Sequence, residues 1–431
     1  MGGETFERLM GNLDKAAEKI PDNRHGPNTK HRLVDAVKSA FGVFYFQFPS
    51  FLRYMKEMQN KRKKSNAQSL LGIHDLPSDA QVRNLLDEVE PETFAPVFSG
   101  SLQIAEETGV MKTYQVLDDG VLVAIDGVWY HASEKIHCKH CLHQTKDGVT
   151  TYYHRAMAAA IVKPHISSVI PMMGELITNE DGEKKQDCEL NAAKRWLAKR
   201  VNELKGIKAT ILGDDLYSHY PFCKQILDNG LSFILTCKQN THPWLTETVK
   251  YSFLTEQRVK IRKGKKHFLH TYRYLNQVPL RDNKESLMVN YMELEITEME
   301  SGEQTYYSSW ITNKPIDNLN VQQLVDCART RWKIENEHNN VLKNRGYNLE
   351  HNFGHGKEHA AEVFFLLNLI AFQFHTILDY CDTDYQKARA SCSTRVAFFE
   401  AMRFCLRFAY HDSWSAFLVF LYTDGGLADS G

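Results

Sequence analysis

The sequence predicts an α/β protein: a partly parallel sheet with a β-rich insertion, a helical N-terminal region and a helical C-terminal segment. Three observations predict it. Apolar, β-branched runs at Gly120–Tyr130, Ile207–Leu212 and Leu231–Cys237 have the length and composition of buried strands. Segments with helix spacing, Cys188–Leu204 and Tyr217–Leu227, alternate with them, and such alternation implies parallel pairing. Residues 240 to about 312 then break the alternation with aromatic and β-branched stretches such as His267–Tyr274 and Met288–Ile296.

Each element has its own signal. Leu33, Val34, Val37 and Phe41 recur at helical spacing until Pro49 ends or bends the segment. Lys61-Arg62-Lys63-Lys64 reads as a loop or helix end. Pro77-Ser78-Asp79 starts a helical unit running to Leu86. Thr150–Val162 and Ser167–Ile177 add extended segments after the first strand. Gly264 and Gly302 mark turns in the insertion, and Thr305–Thr312 returns to the main sheet. Val321–Lys343 is strongly helical, and Glu358–Leu378 and Thr394–Phe408 are apolar helices that close the core. The expected division is residues 1–115 (helical and basic), 116–239 and 305–380 (two parts of one core), 240–304 (insertion) and 381–431 (C-terminal helices).

Composition bounds the function. The chain has 431 residues, 43% hydrophobic and 24% charged, which excludes disorder, collagen and coiled coil as the dominant state. Nine cysteines are far too few for a disulfide scaffold, and the N-terminal Met1-Gly-Gly-Glu-Thr-Phe6 is polar. A reducing, cytoplasmic setting is the expectation. The apolar stretch from Ala360 to Leu378 is interrupted by Glu362, Asn368, Gln373 and His375, so it predicts a core helix and no membrane partner. The net charge is −1, but it is unevenly spread. Residues 1–70 hold 13 Lys/Arg against 7 Asp/Glu, and residues 240–285 hold 10 against 4. Two segments of +6 are therefore balanced by an acidic remainder, a division compatible with phosphate contacts at two surfaces.

Three carboxylates stand out by position. Asp126 follows the apolar run Val121–Ile125, Asp214 ends the strand Ile207–Leu212, and Glu335 lies inside a helix. Burying unpaired carboxylates at a sheet is expensive, and a divalent cation with oxygen ligands offsets that cost. Two such ions suit phosphoryl transfer. Each residue also has a simpler account. Asp126 precedes Gly127 and fits a turn, Asp214 fits a helix cap, and Glu335 fits an intrahelical partner of Arg331. Asp215 fits a cap or turn.

Ile311-Thr-Asn-Lys314, Arg329-Thr-Arg-Trp-Lys-Ile-Glu335 and Leu342-Lys343 resemble the signature of bacterial insertion-sequence transposases of the DDE type, in the group named for Tyr-Arg-Glu-Lys. Gly213-Asp214-Asp215-Leu-Tyr217 resembles the second-aspartate motif, and Asp126 on its strand resembles the first. Lys185-Gln-Asp-Cys-Glu189 and Asn348-Leu-Glu-His-Asn-Phe-Gly-His355 resemble one subgroup. The resemblance covers roughly residues 118–378. It implies an RNase H-like core with a β-rich insertion before the glutamate helix. It further implies Asp126, Asp214 and Glu335 as catalytic, metal-binding residues for Mg2+ or Mn2+, with two ions expected. Arg331 and Lys343 are implied as DNA-binding residues, since a guanidinium suits phosphate. The implied activity is DNA transposition: phosphodiester hydrolysis at transposon terminal inverted repeats, then strand transfer of the 3′-hydroxyl into target DNA. A homodimer or larger complex on DNA is the implied assembly, and the basic N-terminal region the implied reader of the repeats. An RNase H-like nuclease, or an inactive transposase-derived DNA-binding protein, is the alternative. Two positions depart from the pattern. Ala328 stands at the signature tyrosine. Lys343 falls eight residues after Glu335 instead of seven, ~80° around an ideal helix, which a local helix bulge would correct.

A second constellation is His137-Cys138-Lys139-His140-Cys141-Leu-His143. One Cys-x-x-Cys with its flanking histidines can hold zinc, and His131 or His154 are further candidates, but no second Cys-x-x-Cys is present and a closed site needs four ligands. A β-hairpin with two packed or free thiols is the simpler expectation. Trp244, Tyr272 and Tyr274 lie near basic residues and suit base stacking, with ordinary sheet packing as the simpler account.

Overall fold

In the computed structural model, which describes residues 3–22, 24–25, 29–59, 64–178 and 188–423, the chain opens with seven helices. They are α1 (Glu4–Glu18), α2 (Leu33–Tyr45), α3 (Phe51–Met58), α4 (Asn66–Leu71), α5 (Asp79–Asp87), α6 (Ala95–Glu107) and α7 (Val110–Tyr114). Lys61, Arg62 and Lys63 of the basic run lie outside the described residues, as do Lys185, Gln186 and Asp187. The start signal at Ser78 is a capping box: its side chain accepts from Gln81 N–H, and the Gln81 side chain accepts from Ser78 N–H.

The sheet begins with β1 (Leu122–Ser133), β2 (Leu142–Lys146), β3 (Val149–Val162) and β4 (Ile170–Ile177). After α8 (Glu189–Gly206) come β5 (Thr210–Gly213), α9 (Tyr220–Asp228) and β6 (Ser232–Thr236). The insertion contributes α10 (Pro243–Lys250), β7 (Thr255–Lys263), β8 (Lys266–Pro279) and β9 (Met288–Glu298), and β10 (Gln304–Thr312) returns. The order across the sheet is β2-β3-β1-β5-β6-β10-β9-β8-β7, with β4 also on β3. β1, β5 and β6 are parallel neighbours, and the remaining pairs are antiparallel. Three antiparallel strands followed by two parallel ones, with α8 and α9 as crossovers, is the RNase H-like arrangement. β9 and β10 extend the same sheet, so the insertion is continuous with the core. Tyr272 and Tyr274 are buried in it, which settles them as packing residues; Trp244 is part-exposed.

The predicted helix Val321–Lys343 is broken. α11 (Val321–Arg329) ends one residue before Thr330, a π-helical turn spans Ile334–Asn339, and α12 (Asn340–Asn344) completes it. The chain closes with α13 (Ala360–Cys381), α14 (Thr383–Ala390), α15 (Arg395–Phe408) and α16 (Trp414–Thr423). α13 is apolar enough to cross a membrane by composition, yet 94% of its most apolar window is buried inside the protein. Its polar positions explain that placement: Gln373 donates to Pro171 O and Asn368 to Tyr347 O, both at 2.9 Å.

The N-terminal helices share this core. Phe6 of α1 stacks on Trp414 of α16, and Phe41 of α2 meets Phe374 of α13. The two helical ends therefore form one layer around α13. A single carboxylate fixes the entry to that helix. Asp87, at the end of α5, accepts the N–H groups of Lys357, Glu358 and Ala360 at 2.9–3.1 Å. The N-cap residue of α13, His359, supplies no side-chain cap, so Asp87 satisfies those donors from another helix. Burial pushes the Asp87 carboxyl up, but the backbone donors outweigh it and hold it below its ordinary value. Asp87→Ala is expected to lower stability by about 1–3 kcal/mol. A depressed folded-state pKa gives stability that is present at neutral pH and lost as pH falls through it. In urea titrations the deficit should be full at pH 7 and shrink in acid; equal midpoints at pH 7 would remove the cap from the account.

Candidate active site: carboxylates at two parallel strands

The apolar half of β1, Leu122–Ile125, is fully buried, and the next side chain is Asp126. β1 and β5 run parallel with Ala124 opposite Leu212. Asp126 lies two residues beyond that last pair on β1, and Asp214 directly follows the end of β5, so both acids sit at the same end of the two neighbouring strands. The π-helical turn carrying Glu335 packs against β1 and β3, and Asn339 on that turn reaches Gly127 O at 3.5 Å. The structure thus brings Asp126, Asp214 and Glu335 into one electrostatic neighbourhood, although their carboxylate oxygens do not all lie within 4.8 Å of one another.

The electrostatics agree with that geometry. Burial pushes Asp126 up to about 7, and the charges of Glu189 and Glu335 add to the shift while Arg331 opposes it. Asp214 is also raised, first by burial and then by Glu189; the N–H of Leu216 and the Arg331 charge oppose the rise. Arg331 pairs with Glu335 at 2.7 Å across one helical turn. The cluster is negative and part-buried, and Glu335 remains half-exposed (49%). Mutually repelling carboxylates, one of them half-exposed, have the donor chemistry that a hard divalent cation would draw together.

Several simpler accounts also hold in part. Asp214 does cap a short 3-10 turn, accepting from Leu216 N–H at 2.9 Å. Asp215 turns away and holds the next loop, accepting from Lys238 N–H at 2.6 Å and the Thr241 hydroxyl at 2.8 Å. Glu335 is indeed Arg331's partner. The turn reading of Asp126-Gly127 is wrong, because Gly127 lies within β1, opposite Met157. A Cβ there would sit 2.2 Å from Glu189 Oε2, so close approach explains the glycine.

Glu189 is the residue that sequence reasoning missed as a member of this cluster. It opens α8, accepts from the Tyr217 hydroxyl at 2.6 Å, and pairs with Arg155 on β3. Both oxygens are engaged, so Glu189 holds Arg155 on β3 and Tyr217, which lies close enough to feel the charges of Asp126 and Asp214. Its advance signals are an acid in the first turn of a helix and its place at the end of Lys185-Gln-Asp-Cys-Glu189, the segment that resembles one subgroup.

Lys343 lies beyond the π-turn, which takes one residue more per turn than an α-turn. The bulge expected from the extra residue is therefore present between Glu335 and Lys343. The Lys343 ammonium pairs with Glu350 at 2.7 Å, and no contact with the three carboxylates is recorded among the described residues. Lys333 is the anchoring lysine instead: it donates to Lys163 O at 2.6 Å and to Ile166 O, tying the glutamate segment to the β3–β4 connection.

Residues 144–373 match the family described as Transposase DDE domain. The match spans Glu189, Asp214 and Glu335 and begins after Asp126, whose place rests on the β1–β5 register. Comparison with curated proteins finds no match. The matched segment is more than half of the chain, and the fold agrees with it throughout. The chain belongs to the DDE-domain transposase family.

Proposed function

We propose that the protein is a DNA transposase that cuts phosphodiester bonds at the terminal inverted repeats of its own element and transfers the resulting 3′-hydroxyl into target DNA. The observation that supports this reading is the mutual electrostatic influence of acids at the ends of β1 and β5 and on the π-turn, Asp126, Asp214 and Glu335, with Arg331 beside Glu335. Asp126, Asp214 and Glu335 would hold Mg2+ or Mn2+, with two ions fitting the chemistry. When bound, such ions activate an attacking oxygen and stabilise a leaving one. Arg331 would offset the carboxylates' charge and meet a DNA phosphate, and Lys343, paired with Glu350 in the free protein, would supply a further cation. Glu189 keeps Arg155 and Tyr217 oriented. A homodimer or larger assembly on paired ends is the expected working form.

Basic surface supports a DNA partner. β7 is the sheet edge, and Arg258, Lys260 and Arg262 alternate along its exposed face. Alternating cations on an edge strand both discourage strand addition and suit a phosphate backbone.

The test is incubation of the full chain and a divalent cation with a supercoiled donor bearing the element's terminal repeats. The expected products are ends cut at the repeats and joined into a target plasmid. Cleavage without joining would favour an RNase H-like nuclease. Repeat-specific binding with neither product would favour a non-catalytic DNA-binding protein.

A further inference from the structure

The Cys-x-x-Cys segment meets two histidines that complete a second, separate centre. Cys138 and Cys141 lie in the β1–β2 connection, His154 is on β3, and His355 lies in the loop leading into α13. Cys141, His154 and His355 are buried, at 4%, 1% and 5% exposure. The donor atoms face one another. Sγ of Cys138 and Cys141 are 3.9 Å apart. His154 Nε2 is 3.4 and 3.3 Å from those two sulfurs. His355 Nε2 is 3.4 Å from Cys141 Sγ and 3.1 Å from His154 Nε2.

Those edges can be compared with a coordination shell. Tetrahedral zinc, with Zn–S about 2.3 Å and Zn–N about 2.0–2.1 Å, requires S···S about 3.8 Å, S···N about 3.6 Å and N···N about 3.3 Å. Those five edges lie close to their ideals, and the sixth, from Cys138 Sγ to His355 Nε2, is within 4.8 Å. The surroundings agree as well. His355 Nδ1 donates to Gly356 O at 3.1 Å, which leaves the Nε2 lone pair facing the other donors, as metal-ligating histidines are commonly held. Cys138 N–H lies 3.5 Å from Cys141 Sγ and would stabilise a thiolate there. Two thiolates, two neutral imidazoles and one Zn2+ sum to zero charge, so the set can be buried at little electrostatic cost.

We infer that Cys138, Cys141, His154 and His355 form a closed structural zinc site that clasps the β1–β3 hairpin to the loop before α13. His131, the other histidine weighed for this role, is not one of the four; its ring packs on His355. With four protein ligands no position is left for a substrate, so the site is structural. It is also remote from the carboxylates: His154 pairs with His131, five residues beyond Asp126 on β1, about 16 Å along a strand. Its clasp joins residues 201 positions apart, one on the strand beside Asp126 and one on the chain that continues from Glu335.

The test uses full-length protein purified with reductant and without chelator from zinc-supplemented cells. Elemental analysis is expected to find about one zinc per chain, with an X-ray absorption first shell of two sulfurs at about 2.3 Å and two nitrogens at about 2.0–2.1 Å. Asp126→Asn should retain that zinc, separating it from the carboxylate centre, and His355→Ala should lose it. A strong chelator should lower Tm and make Cys138 and Cys141 reactive toward a thiol reagent. If His355→Ala does not fold, the wild-type zinc content and first shell still decide. Zinc far below one per chain, an oxygen-rich shell, or a Cys138–Cys141 disulfide in native protein would overturn the inference.

Discussion

Asp126→Asn is expected to abolish metal-dependent cleavage of a donor plasmid, by about 10³-fold or more, while making the metal-free protein harder to melt at pH 7.5. The second half follows from linkage. The Asp126 carboxyl is raised to about 7 by burial, Glu189 and Glu335, whereas in the unfolded chain it titrates near 3.9. The folded state therefore holds this proton more tightly. Between about pH 4 and pH 7 the unfolded chain ionises first, so the metal-free protein loses stability as pH rises through that window. Above it the penalty is fully present. Asparagine has nearly the same shape and no charge, so its gain in Tm should be largest above pH 7 and vanish near pH 4. A divalent cation should reverse the ranking, raising the Tm of wild type far more than that of the variant.

Glu335→Gln should lose cleavage to a similar degree with a smaller thermal effect, because that side chain is half-exposed. Melting curves and plasmid cleavage on the same preparations check both halves. If Asp126→Asn cleaves at the wild-type rate, the carboxylates are not the reaction centre. If it melts lower than wild type at pH 7.5 without metal, the repulsion ascribed to the cluster is not there.

What the sequence makes legible here is local. The run Val121–Ile125 announces a buried strand, and Asp126 stands out because it interrupts that run. The box at Ser78 and Gln81 announces the start of α5, since each partner is three residues from the other. The interruptions in Ala360–Leu378 mark α13 as a core helix, and each of its amides finds a backbone partner there. What stayed hidden depends on distant chain. Glu189 joins the cluster because α8 packs on β3 and β4 and sets its first turn against Gly127 of β1, a placement that the motif-like segment Lys185–Glu189 does not itself give. Gly127 looks like a turn glycine until Glu189 is set against it. The break at Thr330 carries ordinary helical composition and only the structure reveals it, whereas the π-turn is signalled by the extra residue between Glu335 and Lys343. For the Cys-x-x-Cys segment the sequence offers His131 or His154 as a partner, but not His355, which meets Cys141 from 214 residues away. The basic segments were legible as charge but not as place: β7 became a sheet edge only once the insertion joined the core sheet.

Arg331 carries the second large expectation, and its two roles can be separated. Its guanidinium pairs with Glu335 at 2.7 Å, and its charge opposes the upward shift of both Asp126 and Asp214. Arg331→Ala removes that opposition, so both aspartates should hold their protons to higher pH. The pH midpoint for cleavage should then move upward, because the ionised carboxylates needed for the cation form later in a titration. The variant also loses a planar fork suited to phosphate, at an expected cost of about 10²–10³-fold in cleavage rate at pH 7.5. Arg331→Lys keeps the charge but not the fork. It should restore the pH midpoint toward wild type while recovering little of the rate. Cleavage measured across pH for the three proteins gives both quantities at once. A lysine variant with wild-type rate would show that charge alone matters at this position. An alanine variant with an unmoved midpoint and a loss below about tenfold would place Arg331 outside the reaction altogether, whatever its distance from Glu335, because a charge that neither tunes the aspartates nor meets the phosphate has no part in either step.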